Sequence, residues 1–250
     1  MLRSDHLEQL TPELISFLTP QEREELVNLV EERQESLNRE KLFQLYPNTG
    51  PLRRELYPKH CELFAAGIEH RERCMMAANR IGKTWGVGGY ETALHLTGRY
   101  PDWWEGRRFD RPVDGWAAGD TSETTRDIVQ LALTGVGGEA GESSLGTGLI
   151  PAEDIVGEPT HRRGIAGAYD TIVVKHQSGG HSKLGFKSYD QGRKKFQGTS
   201  KDVVWLDEEP PMDVYSECLL RTMTTNGLVL CTFTPLSGMT EVALQFLQGE

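Results

Sequence analysis

Lys83 and Thr84 close the string Ala77-Ala78-Asn79-Arg80-Ile81-Gly82-Lys83-Thr84, and Asp207 and Glu208 close the apolar run Val203-Val204-Trp205-Leu206. A Gly-Lys-Thr ending brings together what an anion site requires. Gly82 allows close backbone approach, Lys83 supplies a cation for β/γ phosphates, and the Thr84 hydroxyl supplies a magnesium ligand. Carboxylates at the end of a strand lie where ligands gather in open α/β sheets. Asp207 is expected to hold magnesium through water, and Glu208 to orient and polarise an attacking water. Each string also has a plain reading: a chance tripeptide, and a strand running into the acidic turn Glu209-Pro210-Pro211. In this order and context, the pair points to hydrolysis of a nucleoside triphosphate.

Other residues extend the expected site. Ala78, Asn79, Arg80 and Ile81 form the body of the loop. The guanidinium of Arg80 suits spread charge on γ-phosphate oxygens, although a solvent-facing Arg80 is the structural alternative. Ala77 stands where the usual pattern has its first glycine, which is feasible if that residue keeps negative φ. Thr232-Phe233-Thr234-Pro235 places hydroxyls at a strand tip, where they can sense γ-phosphate; otherwise it is a β run stopped by proline. Arg193, Lys194 and Lys195, in a loop flanked by Gly and Ser, are candidates for a finger into a neighbouring subunit's site or for a DNA phosphate contact.

The elements that must position these groups read as alternating strands and helices, an α/β sheet. Strands are expected at 74–78, 115–119, 202–206 and 227–233, and a hairpin of 171–175 with 182–186 around Gly179-Gly180. Trp85–His95 and Ser122–Leu133 are expected as helices, the first despite Gly86, Gly88 and Gly89 near its start. Residues 135–148, rich in Gly and Ser, read as a mobile loop. Upstream, Thr11-Pro12-Glu13 and Thr19-Pro20-Gln21-Glu22 are helix starts, the second with a Thr-x-x-Glu capping box. Leu26, Val27, Leu29, Val30 and Leu37 supply a broken apolar face, expected to pack on the core. Pro47-Asn48-Thr49-Gly50-Pro51 breaks the chain before that core.

Composition narrows the classes. A chain of 250 residues with 37% hydrophobic and 26% charged residues is an ordinary globular sequence. No apolar run approaches the roughly 20 residues of a membrane span, and no signal-peptide pattern opens the chain, so an intracellular location is expected. Cys61, Cys74, Cys218 and Cys231 form no Cys-x-x-Cys pair and read as reduced thiols. His176 and His181 have a spacing seen among zinc ligands, but the Gly-Gly between them marks a turn. The net charge of −10 argues against a simple nucleic-acid-binding module. Residues 161–201 nevertheless hold nine Lys/Arg against two Asp, either a solvated face or a surface for phosphates.

Over roughly residues 56–238 these motifs together resemble the ATPase domain of tailed-phage terminase large subunits. The resemblance is carried by Tyr57-Pro58-Lys59-His60, the Ala-Asn-Arg-Ile-Gly-Lys-Thr loop, Phe196-Gln197-Gly198, Trp205-Leu206-Asp207-Glu208-Glu209-Pro210 and Thr232-Phe233-Thr234-Pro235. It implies a P-loop NTPase fold of the additional-strand, catalytic-glutamate type: a mostly parallel central sheet flanked by helices, with a helical N-terminal extension over 1–50 and the ATPase domain over 51–250. It implies ATP and Mg2+ as ligands, with Lys83, Arg80 and Glu208 in catalysis and Thr84 and Asp207 on the metal. Thr232, Phe233 and Thr234 would couple hydrolysis to movement. His60 stands near the adenine-contacting position, where relatives often carry Gln. Many relatives have Arg where this chain has Gln197, so a finger acting in trans would fall to Arg193, Lys194 or elsewhere.

The implied activity is translocation of double-stranded DNA into a procapsid by a homo-oligomeric ring. Portal protein and small terminase subunit would be its partners, in the host cytoplasm and with no membrane. The nuclease that usually follows in the family is expected to be absent from this chain. Two other readings stay open: a helicase- or recombinase-like ATPase, and a non-enzymatic DNA- or capsid-docking adaptor with a decayed nucleotide site.

Overall fold

In the computed structural model, residues 18–236 and 238–247 are described, without the side chains of 32–39. Seven strands form one sheet: β1 (Glu72–Met76), β2 (Asp114–Gly119), β3 (Thr160–His161), β4 (Tyr169–Lys175), β5 (His181–Ser188), β6 (Val203–Asp207) and β7 (Leu228–Phe233). Their order is β1-β7-β6-β2-β5-β4-β3. The first five strands in that order pair in parallel, while β4 and β3 add an antiparallel edge. β7 is thus inserted between the strand that feeds the loop and the strand that ends in Asp207, as an additional strand.

Alternation along the strands divides the core between the two faces of the sheet. Val203, Trp205, Leu228 and Leu230 join one buried cluster, with Tyr90, Ala93 and Leu94 of helix α3 (Tyr90–Thr97). Val204, Leu206, Val229, Cys231 and Phe233 join the other. That second face is covered by α5 (Met212–Met223) and α6 (Glu241–Leu247), through Val214, Tyr215, Cys218, Val242 and Ala243. By the same period of two, Asp207 and Thr232 fall on the α3 face at the carboxyl ends of β6 and β7. The register pairs them directly.

Helix α1 (Pro20–Arg39) begins as its sequence specifies. Thr19 Oγ1 accepts from Glu22 N at 3.3 Å, and Glu22 Oε2 accepts from Thr19 N at 2.8 Å. Its apolar stripe is only partly used: Leu26 is buried, but Val27 and Val30 are about half exposed (53% and 49%). The start expected at Thr11-Pro12-Glu13 lies outside the described residues, as does the side chain of Leu37. Helix α2 (Pro58–Ala66) precedes β1, and α4 (Leu131–Thr134) ends a helical run that opens at Ser122. The expected hairpin is β4–β5. The two ends of the stretch 135–148 are packed, with Gly135, Val136, Gly137, Gly146 and Gly148 buried, while 138–139 and 141–143 are exposed.

Among the described residues the four cysteines are free, with Cys218 and Cys231 buried. Burial pushes the Cys74 thiol up to about 12. No helix among them is long and apolar enough to cross a membrane.

Candidate functional site

The loop leaves β1 with its ladder still running, since Ala77 N donates to Phe233 O at 3.2 Å. Ala77 is not among the residues with positive φ, so the missing glycine costs no strain there. The left-handed positions are instead Arg80 (φ 64) and Gly82 (φ 88). Gly82 takes that conformation freely, whereas Arg80 holds one that a non-glycine residue adopts only when its surroundings impose it. A helical run then starts at Lys83. Its first stretch, Lys83–Gly89, is π-helical and passes directly into α3. Such widened turns concentrate at functional sites, and here the cause is visible. A Cβ on Gly88 would fall 2.0 Å from Trp205 Nε1, so Gly88 lets the helix lie on the indole, while a Cβ on Gly86 would fall 2.8 Å from Tyr46 OH.

Lys83 is 8% exposed and folded back on its own loop. Its ammonium donates to Ala77 O (2.9 Å), Ala78 O (2.8 Å) and Thr234 Oγ1 (2.8 Å), which uses all three protons. Thr234 Oγ1 is also 2.7 Å from Asn79 Oδ1 and 2.9 Å from Ala77 O. The tip of β7 is therefore tied to both ends of the loop. Thr84 Oγ1 sits 3.1 and 3.2 Å from the two carboxylate oxygens of Asp207. Thr232 Oγ1 donates to Asp207 Oδ1 at 2.7 Å, and Trp205 Nε1 donates to Thr232 Oγ1 at 2.7 Å. An indole N–H is only a donor. It fills an acceptor position on Thr232, so the Thr232 proton is directed to the carboxylate.

Asp207 is 2% exposed. Burial lifts its carboxyl to about 7, and the charge of Glu208 adds to that; hydrogen bonds from Thr232 and Thr84 and the charge of Lys83 oppose it. A buried carboxylate with hydroxyl neighbours and no cation in contact is a hard-oxygen donor set suited to a divalent ion such as Mg2+. That ion keeps waters and phosphate oxygens as its other ligands. The chain supplies few ligands: among the described residues no group of three or more His, Cys, Asp or Glu is placed to hold a metal. Glu208 is exposed at φ 63, with Glu208 N bonded to Thr232 O at 3.0 Å. A second carboxylate is therefore held in a strained, open position beside the buried one.

Residues 74–250 match the family described as terminase large subunit, T4likevirus-type, N-terminal. This chain belongs to the terminase large subunit family. The large terminase subunit of Salmonella phage P22 is 36% identical over 253 residues, covering 94% of this chain and 48% of the P22 protein. The chain thus spans about half the length of that relative. Among solved structures, the HK97 bacteriophage large terminase has a TM-score of 0.51 at 14% identity, over 81% of this chain and 37% of that one. A Thermus phage P74-26 large terminase ATPase domain has a TM-score of 0.49 at 18% identity, over 75% and 70%. The fold is that of a P-loop NTPase, with β7 as an additional strand between β1 and β6.

In this terminase chain the expected residues divide into those brought together and those set apart. Asn79, Lys83 and Thr234 form one hydrogen-bonded group, and Thr84, Asp207 and Thr232 form a second at the adjoining strand tip. Ala78, Arg80 and Ile81 line the exposed loop. Phe233 is fully buried in the opposite cluster, so within the Thr-Phe-Thr motif only the two hydroxyls face the site. His60 is 5% exposed and sits beneath the loop. Its Nδ1 is 2.7 Å from Tyr46 OH, which donates to Gly86 O at 2.6 Å. The ring braces the loop from below and does not present itself to a base on the open side.

Arg193 is committed elsewhere: Arg193 Nε bonds Glu217 Oε2 at 2.9 Å, and Arg221 completes the pair with that buried acid at 3.1 Å. Lys194 and Lys195 stay exposed, as do Arg163, Lys175 and Lys183. Lys187 and Lys201 lie over the Trp116 ring at 5.5 and 4.9 Å. Sequence reasoning did not single out Trp205, which it read as an apolar strand residue. The signal was present in the glycines at 88 and 89, since both approach the Trp205 ring.

Proposed function

We propose that this chain is a magnesium-dependent ATPase domain whose hydrolysis cycle drives double-stranded DNA into a procapsid. The observation that carries the reading is the convergence of Lys83–Thr84, Asp207 and the two hydroxyls of Thr232 and Thr234 at the carboxyl ends of β1, β6 and β7. Thr84, and Asp207 through water, would hold magnesium, which would supply charge neutralisation at the β and γ phosphates. Lys83 leaves Ala77 O, Ala78 O and Thr234 for the incoming phosphates, and Arg80 reaches γ-phosphate oxygens from the exposed loop. Glu208, open to solvent beside the metal arm, positions water for attack on γ-phosphorus.

Release of Lys83 from Thr234 gives the β7 tip a direct report of nucleotide state, which suits a motor. A homo-oligomeric ring working with a portal protein, a small terminase subunit and DNA in the host cytoplasm accords with the family. Lys194 and Lys195 remain free to meet DNA or a neighbouring subunit.

Phosphate release with magnesium and ATP tests the assignment. Glu208→Gln is expected to cut turnover by roughly 10²–10³-fold while nucleotide binding persists. Lys83→Ala is expected to lose binding and turnover together. Wild-type turnover in Glu208→Gln would remove the glutamate from the mechanism.

A further inference from the structure

The base of the nucleotide has no assigned partner once His60 is found beneath the loop. Its Nδ1 is held by Tyr46, and a backbone hydrogen bond with Ile81 engages the ring as well. What the structure offers on the open side is Trp85, the third residue of the helical run whose N–H groups face the phosphates. Successive side chains there fan around the axis. Lys83 turns to Thr234 at the β7 tip, and Thr84 turns to Asp207 at the β6 tip. Trp85 turns away from both tips, toward the N-terminal segment, where Lys41 Nζ lies 5.3 Å from its ring centre.

The Trp85 indole is 37% exposed, and so is Ile81 one turn earlier in the loop. Lys41 opens the single helical turn Lys41–Gln44 and has no carboxylate partner among the described residues. With the γ-phosphate end at Lys83 and Glu208, the nucleoside must leave the loop on the side away from β6 and β7. That is the side Trp85 occupies.

Resting on the ATPase reading, we propose that Trp85 is the nucleobase platform of this site, with Lys41 of the N-terminal segment holding the indole in place. Recognition is then by stacking and not by hydrogen-bond readout. Every base has a π-face, and base–aromatic stacking is tolerant of base identity. The site takes purine nucleotides as a class, with weak discrimination between adenine and guanine.

Calorimetric titration of the whole chain with ADP, GDP and tripolyphosphate, each with magnesium, tests this. Wild type should bind ADP and GDP within about threefold of each other. Trp85→Ala should weaken both by about tenfold, the scale of one lost stack, and leave tripolyphosphate binding unchanged. Trp85→Phe, which keeps a ring, should retain most of the nucleotide affinity. Unchanged ADP affinity in Trp85→Ala overturns the proposal while leaving the ATPase reading intact. An equal loss for nucleotides and tripolyphosphate in both variants overturns it in favour of a role in shaping the loop. A strong wild-type preference for ADP over GDP also overturns it. Failure of wild type to bind any of the three would instead overturn the ATPase reading beneath it.

Discussion

Glu91 and Asp207 are both buried acids, 3% and 2% exposed, and both are bound to the same helical run. Asp207 meets its first turn through Thr84, and Glu91 belongs to it two turns later. Their surroundings differ in one respect. Glu91 accepts from Arg73 Nη1 at 3.0 Å, and His95 Nε2 lies 3.1 Å away. Burial alone would raise its carboxyl, but the charge of Arg73 and the bonds from His95 and Arg73 outweigh that and hold it at about 2. Asp207 has hydroxyl partners and no cation in contact, and its carboxyl stands at about 7. A buried acid with its counter-ion built in joins β1 to α3. On the proposed function, a buried acid without one is a place prepared for a cation that arrives from outside.

Breaking the first pair has the largest expected effect. Glu91→Gln leaves the Arg73 guanidinium buried with no counter-charge, which costs about 3–5 kcal/mol of stability. A denaturant melt measures it, and a cost under about 1 kcal/mol would erase the contrast between the two acids.

Asp207→Asn is the mirror experiment and should run the other way. The amide still accepts from Thr232 and can donate to Thr84, while the uncompensated charge is gone. Without magnesium the variant should match or exceed wild-type stability by about 1 kcal/mol. It should also lose the extra stability that magnesium with ADP confers on wild type by binding the folded state. Destabilisation of about 2 kcal/mol or more would mean that the charge of Asp207 belongs to the scaffold.

The legibility of the two sites in the sequence differs for a physical reason. Lys83, Thr84, Asp207 and Glu208 were readable because residue type and position at a strand end together specify chemistry. Thr234 was readable as a hydroxyl at a strand tip. The Arg73–Glu91–His95 group carries no such signature. Arg73 lies just before the strand read as apolar, at 74–78, and Glu91 lies in a helix whose glycines drew attention instead. Only the packing of α3 on β1 brings them together. Arg193 shows the opposite limit. A basic triplet in a Gly-flanked turn reads as available, but the buried carboxylate of Glu217, far along the chain, claims its first member. Burial of the ends of 135–148 was equally illegible, since Gly and Ser reveal backbone freedom and not what packs against them. The parallel sheet and the additional strand were legible through resemblance; chain order alone does not place β7 between β1 and β6.

The smallest effect is also the most discriminating, because the two acids have opposite signs in pH. His95 is held below its ordinary value of 6.5, chiefly by burial, and Arg73 and Arg107 contribute, against the opposing pull of Glu91. Its partners fit the neutral ring, with Nε2–H donating to Glu91 and Nδ1 accepting from Tyr100 OH at 2.8 Å. For both His95 and Glu91 the unfolded chain binds protons more readily. Their stabilisation is complete above about pH 6.5 and is lost on acidification, first through His95 and then through Glu91 between 4.5 and about 2. Asp207, raised from 3.8 to about 7, binds protons more readily when folded, so acidification across that window stabilises the chain and masks part of the loss. Urea melts of wild type and Asp207→Asn at pH 7 and pH 5 separate the two. The variant should lose more stability on acidification, with an added slope of at most about 1.4 kcal/mol per pH unit. Equal losses in the two proteins would place the Asp207 carboxyl in its ordinary range, and the contrast with Glu91 would then rest on hydrogen bonding alone.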